Sequence, residues 1–108
     1  PDGACIELSE YTGGPLGIAE GIETAMAASA MYQMPVWSAI NTSILKKWLP
    51  PEGCTEVWVY GDNDASFAGH AASYELARRL HAKGIEVDVR MPPVVGEDWN
   101  DLWLREKA

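Results

Sequence analysis

Glu56-Val57-Trp58-Val59-Tyr60-Gly61-Asp62-Asn63-Asp64 is the stretch on which the fold turns. Its first five positions are β-branched, aromatic or edge-tolerant residues, the composition of a strand. The Gly-Asp-Asn-Asp that follows reads as a turn, because Gly, Asp and Asn accept the backbone angles a chain reversal needs. Beyond it, Ala68, Ala72, Leu76 and Leu80 recur at i, i+4 spacing, which predicts a long amphipathic helix over about 66–83. Gly84 stands where a helix C′ residue belongs.

The same alternation extends outward in both directions. Leu16-Gly17-Ile18-Ala19 reads as a first strand, ending at Glu20-Gly21. An Ala- and Met-rich helix follows through about Tyr32, with Ile22, Met26 and Ala30 as its apolar stripe. Residues 35–40 read as a second strand; Asn41 or Thr42 caps a short helix over 43–49, which Pro50-Pro51 stops. Residues 85–90 alternate apolar and polar as an outer strand would, and Gly96-Glu97-Asp98-Trp99-Asn100-Asp101 opens a last helix through Arg105. Ahead of Gly13-Gly14-Pro15, Cys5-Ile6-Glu7-Leu8 carries an edge-strand signal. Strands alternating with helices predict a single compact α/β domain over 1–108, Rossmann-like, with a roughly four-stranded, mainly parallel sheet and helices on both faces.

Composition narrows the class. With 47% hydrophobic residues, five Trp and four Tyr in 108 positions, the chain has enough apolar surface for a core, which excludes intrinsic disorder. No apolar run reaches the roughly 18 residues of a membrane span, and no basic segment precedes a hydrophobic one as in a secretory signal. The expectation is a cytoplasmic protein with no membrane partner. Cys5 and Cys54 lie far apart with no His or Cys at metal spacing, so neither a zinc site nor a disulfide framework is encoded. The chain opens Pro1-Asp2-Gly3 without an initiator Met, which suggests a piece of a longer protein. Sixteen acidic against eight basic residues leave a net charge of −8, unlike the basic face that usually neutralises nucleic-acid phosphates.

Acids gather where strands end: Glu20 after the first, Asp62 and Asp64 after the third, Asp98 and Asp101 after the fourth. In an open parallel sheet these loops emerge on one edge, where ligands bind. Asp62 and Asp64, at i and i+2, can point to the same side while Asn63 turns away. Two carboxylates so close repel each other unless one protonates or a cation intervenes, and Mg²⁺ suits oxygen ligands of this kind. A turn or helix cap accounts for the same residues, since Asp64 or Ser66 can cap the long helix. Gly61 permits a tight exit from the strand, Gly69 permits close approach of a backbone or substrate, and Asn41, at a strand end on the same edge, is a candidate substrate contact.

Three blocks in order carry a resemblance: residues 16–25 (Leu-Gly-Ile-Ala-Glu-Gly-Ile-Glu-Thr-Ala), Val59-Tyr60-Gly61-Asp62-Asn63-Asp64 with Gly69 and Ala71-Ala72, and Gly96-Glu97-Asp98-Trp99-Asn100-Asp101. Together they resemble the Toprim domain, and more narrowly that of primases or primase-helicases of phages, plasmids and other mobile elements. The resemblance implies nucleotidyl transfer in primer synthesis on single-stranded DNA from nucleoside triphosphates, with Mg²⁺ or Mn²⁺ as cofactor. It assigns Glu20 as general acid/base and metal ligand, and Asp62 and Asp64 as the metal-holding pair. Asp98 and Asn100 become candidate substrate contacts and Asp101 a candidate metal ligand, with a supporting role in the metal site or in loop order. Glu23 sits where that branch often has a second acid. Many relatives carry Ala where this chain has Gly61. Zinc-binding or helicase segments of a parent protein are the implied partners. Two rivals stand beside this reading: a Toprim-type nuclease, and a non-catalytic module that binds nucleotide or a replication partner.

Other residues have plainer readings. Arg78, Arg79, Lys83 and His81 form a solvated basic face or a nucleic-acid contact, Lys46-Lys47 could line a groove, and His70 could touch a phosphate. Trp37 and Trp58 are expected in the core, Trp99 and Trp103 to pack the last helix rather than stack bases, and Met26, Met31 and Met34 as core filler.

Overall fold

The computed structural model describes residues 5–63, 67–94 and 96–107, apart from the side chains of residues 68 and 69. Eight elements alternate along the chain: β1 (Leu16–Ala19), α1 (Ile22–Tyr32), β2 (Val36–Ser38), α2 (Thr42–Lys47), β3 (Glu56–Tyr60), α3 (Ala68–Ala82), β4 (Glu86–Arg90) and α4 (Trp99–Lys107). The four strands pair in the order β2-β1-β3-β4, every pairing parallel. This is the α/β architecture expected from the alternation.

The pleat sorts side chains onto two layers. Leu16, Ile18, Trp37, Val57 and Val59 face α2 and α3, packing with Leu45, Trp48, Ala72, Leu76 and Leu80. Ala19, Val36 and Tyr60 face α1 and α4, packing with Ala25, Ala28, Trp99 and Leu102. Helices therefore cover both faces. Gly17 belongs to the second layer, where a Cβ would stand 2.7 Å from Val36 Cγ2 and 3.0 Å from Tyr60 Cε2. Its neighbours fill the space a side chain would need.

That crowding explains why α1 lies differently from its expected stripe. Ile22 is 44% and Met26 60% exposed, and Ala30 is exposed too, while Thr24, Ala25, Ala27 and Ala28 are buried. Small residues let α1 approach both the sheet and α4, and the bulkier apolar side chains are turned outward. The methionines divide accordingly: Met31 and Met34 pack partly buried on this layer, and Met26 does not.

Helix ends follow their local chemistry. Asn41 caps α2, its side chain accepting from Ile44 N–H at 2.8 Å. At the end of α3, Gly84 takes φ +85° and donates to the His81 carbonyl at 2.9 Å, while Ile85 N–H reaches the Leu80 carbonyl at 3.1 Å. This pair of bonds is a Schellman motif, and it needs the left-handed C′ residue that glycine supplies. At the other end of α3, Phe67 holds the N-cap position.

The Cys5–Leu8 segment forms no strand. Ile6 makes one antiparallel bridge with Ser38, and Trp37 Nε1 donates to the Ser9 carbonyl at 2.8 Å. The edge strand β2, three residues long, thus meets this segment through a single bridge on its outer side. Both cysteines are free thiols, and burial pushes that of Cys5 above its usual pKa. Among the described residues, no helix is long and apolar enough to cross a membrane.

Candidate active site

The parallel register sets Ala19 beside both Ser38 and Tyr60. Glu20 and the Gly61-Asp62 pair therefore leave the sheet side by side at its carboxyl edge. Both carboxylate residues line one small cavity of about 10 Å³, together with Leu45, Tyr60, Gly61 and Ser73.

Buried hydroxyls hold this edge in place. Ser38, fully buried, donates from Oγ to the Glu20 carbonyl at 3.0 Å and accepts from Ile40 N–H at 3.1 Å. Thr24, in the first turn of α1, donates from Oγ1 to Asp62 Oδ1 at 3.3 Å. Neither residue stood out in the sequence. The available signal was a Thr four residues after Glu20, and a small polar residue ending an otherwise apolar strand.

Gly61 is held by both of its backbone groups. Its N–H donates to the Arg90 carbonyl at 3.0 Å, and its carbonyl accepts from Trp99 Nε1 at 2.8 Å. A Cβ at this position would lie 2.6 Å from Met91 Cε and 2.7 Å from Ser73 Oγ. Glycine leaves room here for the Met91 and Ser73 side chains, which would have to shift to admit a Cβ. Trp99 is buried and anchors α4 to the end of β3, as its packing role required.

Asn63 turns toward the last loop. Its side-chain amide donates to the Pro92 carbonyl at 2.7 Å, its N–H donates to the Glu97 carbonyl, and its carbonyl accepts from Gly96 N–H. The loop so tied delivers Asp98 and Asp101. Asp98 Oδ1 accepts from Asp101 N–H at 2.8 Å, and Asp101 Oδ2 accepts from Asp98 N–H at 3.2 Å. This reciprocal pair is a capping box at the start of α4, with Asp in the place Glu usually takes. Asp98 also lines a groove of about 370 Å³ with Gly21, Ile22, Glu23, Thr24 and Ile40, and Thr24 is the groove residue that bonds Asp62. Asn100 lies half-buried in the first turn of α4.

Other sequence candidates fall elsewhere. Asn41 is exposed, and its side-chain oxygen serves the α2 cap. Asp64 and Ser66 lie outside the described residues, as do the surroundings of Gly69. Of the basic cluster, Arg78 pairs with Glu75 at 2.8 Å, and Arg79 donates to the carbonyls of Lys46 and Trp48 at the end of α2. Arg79 thus serves as a helix cap. Arg90 stacks 3.9 Å above the Trp58 ring, which covers the half-buried Trp58, and Lys107 sits over Trp103. The His70 ring packs 5.5 Å from that of Phe67.

Among the described residues, no three His, Cys, Asp or Glu side chains form a set that could hold a metal ion. Glu20 and Asp62 share their cavity with a hydroxyl, however, and this all-oxygen donor chemistry fits a hard cation such as Mg²⁺. Tyr60, under the same cavity, stays protonated well above its ordinary pKa because it is buried.

Residues 15–108 match a family model described as a Toprim domain. No curated protein and no solved structure matches the chain. Toprim domains occur in primases, topoisomerases and nucleases, and they bind divalent metal ions. The matched region contains every element from β1 to α4 and both edge carboxylates, Glu20 and Asp62. The chain belongs to the Toprim family.

Proposed function

We propose that this domain carries out Mg²⁺-dependent nucleotidyl transfer, making primers on single-stranded DNA as the catalytic part of a primase or primase-helicase of a mobile element. The observation that carries the reading is the meeting of Glu20 and Asp62 at one cavity on the carboxyl edge of the sheet.

Glu20, Asp62 and Asp64 would hold the metal, which when bound supplies positive charge to phosphate oxygens as charge builds on them. Glu20 is suited to accept the proton of an attacking 3′ hydroxyl, being a carboxylate at the edge where the reacting phosphates would be held. The Ser38 hydroxyl orients it by holding the Glu20 peptide. Thr24 fixes one oxygen of Asp62. Asp98 and Asp101 order the entry to α4, and Asn100, in its first turn, is the substrate contact of this reading. Two Mg²⁺ would add +4 to the net charge of −8. The domain remains negative, so it should grip DNA weakly by itself and rely on basic surfaces of partner segments, of zinc-binding or helicase type.

The test supplies metal, single-stranded template and ribonucleotides to the protein that carries this domain. Primer synthesis makes labelled oligomers, and both Glu20→Gln and Asp62→Asn should abolish them while thermal unfolding stays unchanged. Shortening of the template would identify a nuclease instead. Nucleotide binding that survives Asp62→Asn, with neither reaction, would identify a non-catalytic module.

A further inference from the structure

Ser73, in the middle of α3, is completely buried, and its Oγ is the one buried side-chain polar atom without a hydrogen-bond partner among the described residues. A buried hydroxyl left unpaired destabilises the fold, because it gives up its bonds to water and gains none. Alanine would fill this helix position better on propensity alone and would leave nothing unpaired. A hydroxyl kept at such a cost calls for a ligand.

Its surroundings indicate which ligand. Ser73 lines the cavity that Glu20 and Asp62 also line, with Leu45, Tyr60 and Gly61 as the remaining wall. At about 10 Å³ the space is close to the smallest that admits a single water, and far too small for a nucleotide. Water in a protein interior needs two to four polar partners, and this wall carries three oxygen-bearing side chains that can serve. Gly61 preserves the space, because a Cβ there would come within 2.7 Å of Ser73 Oγ.

Resting on the reading of Glu20 and Asp62 as a metal-holding pair, we propose that Ser73 is a positioning residue. Its hydroxyl holds one water molecule in the cavity shared with the two carboxylates, and that water fixes them for the cation. The water can be resident before metal arrives, or it can be one that the cation brings, since Mg²⁺ gives up its hydration shell reluctantly. Either way the hydroxyl is its anchor.

Two measurements test this. In the first, Mn²⁺ affinity of wild type and Ser73→Ala is read from the resonance of free Mn²⁺, alongside thermal unfolding without metal. Ser73→Ala should fold and should bind Mn²⁺ on the order of 10-fold more weakly, the usual loss when a group supporting metal ligands is removed. Unchanged affinity together with a higher unfolding temperature would mean that the hydroxyl was merely unpaired, and would overturn the proposal. In the second, magnetisation transfer from water to the Ser73 amide is recorded in ¹⁵N-labelled protein. A long-lived water seen without metal identifies a resident molecule, and one seen only with Mg²⁺ identifies the cation's own. Its absence in both conditions overturns the proposal. Failure of the metal reading looks different: wild type and Asp62→Asn would then bind Mn²⁺ equally or not at all, while the metal-free water measurement still decides the role of Ser73.

Discussion

Thr24 Oγ1 donates to Asp62 Oδ1 at 3.3 Å, so the first turn of α1 braces the residue that leaves β3. Thr24 is 6% exposed, and removing its hydroxyl leaves the shape of the side chain almost intact. Thr24→Val should lower stability by about 1 kcal/mol, the net worth of one such bond. It should also weaken Mn²⁺ binding by roughly 10-fold, because Asp62 loses its orientation. Thr24→Ser, which keeps the donor, should restore the affinity. Urea unfolding and Mn²⁺ titration of the three proteins check this, and a Thr24→Val protein with wild-type affinity would remove Thr24 from the site.

The reciprocal bonds between Asp98 and Asp101 predict a division between charge and hydrogen bonding. Asp98→Asn retains an acceptor for Asp101 N–H, so stability should hold. Asp98→Ala should lose about 1 kcal/mol as the cap disappears. If loop order is the function of Asp98, primer synthesis should follow stability and survive in Asp98→Asn. Loss of synthesis in a stable Asp98→Asn protein would show that the carboxylate charge itself acts on substrate or metal.

Ile40 is a β-branched residue at φ +80° and 49% exposed, held by the bond from its N–H to Ser38 Oγ. Such a conformation costs about 1–3 kcal/mol. Glycine adopts it freely, at about 0.5–1 kcal/mol of added chain entropy. Ile40→Gly should therefore stabilise the domain by about 1 kcal/mol, visible as a rise of about 4–8 °C in the unfolding midpoint. Because Ile40 lines the groove beside Asp98, the same variant should bind nucleotide less tightly if the exposed side chain packs on it. A lower midpoint would mean that the backbone there carries no strain.

Tyr60 makes stability sensitive to high pH. Burial holds its phenol protonated in the folded state, and the hydroxyl donates to the weak acceptor Met34 Sδ at 3.2 Å. Its folded pKa is raised above the unfolded value of 10.0, so its contribution is complete below pH 10. Above that, the unfolded chain ionises first and stability falls as pH rises toward the folded pKa. Tyr60→Phe should flatten this alkaline slope in unfolding curves taken between about pH 9 and 11. An unchanged slope would place the ionising group elsewhere.

Much of the fold was legible from β3 and α3 because each obeys a strong local rule. Val57 and Val59 fill one face of a strand, and Leu76 and Leu80 one stripe of a helix, whatever surrounds them. Helix α1 resisted the same logic. Its bulkiest apolar residues, Ile22 and Met26, point outward because the contact it must make leaves room only for Ala25 and Ala28. Periodicity ranks residues by hydrophobicity, and here clearance decided. The acids of the site were legible through their places after strands, but the hydroxyls that position them were not, since Ser and Thr occur everywhere in sequences.

Local chemistry by itself thus determined the alternation of strands and helices, the caps at Asn41 and Gly84, and the places of Glu20 and Asp62 just beyond the ends of strands. These follow from side-chain periodicity and backbone preference, which act over a few residues. Only the tertiary structure decided that Thr24 grips Asp62, that Asp98 and Asp101 bond each other, and that Gly61 clears the space above Ser73 Oγ. Those are contacts of a few ångströms between groups brought together by the parallel register, and no short-range rule of sequence specifies them.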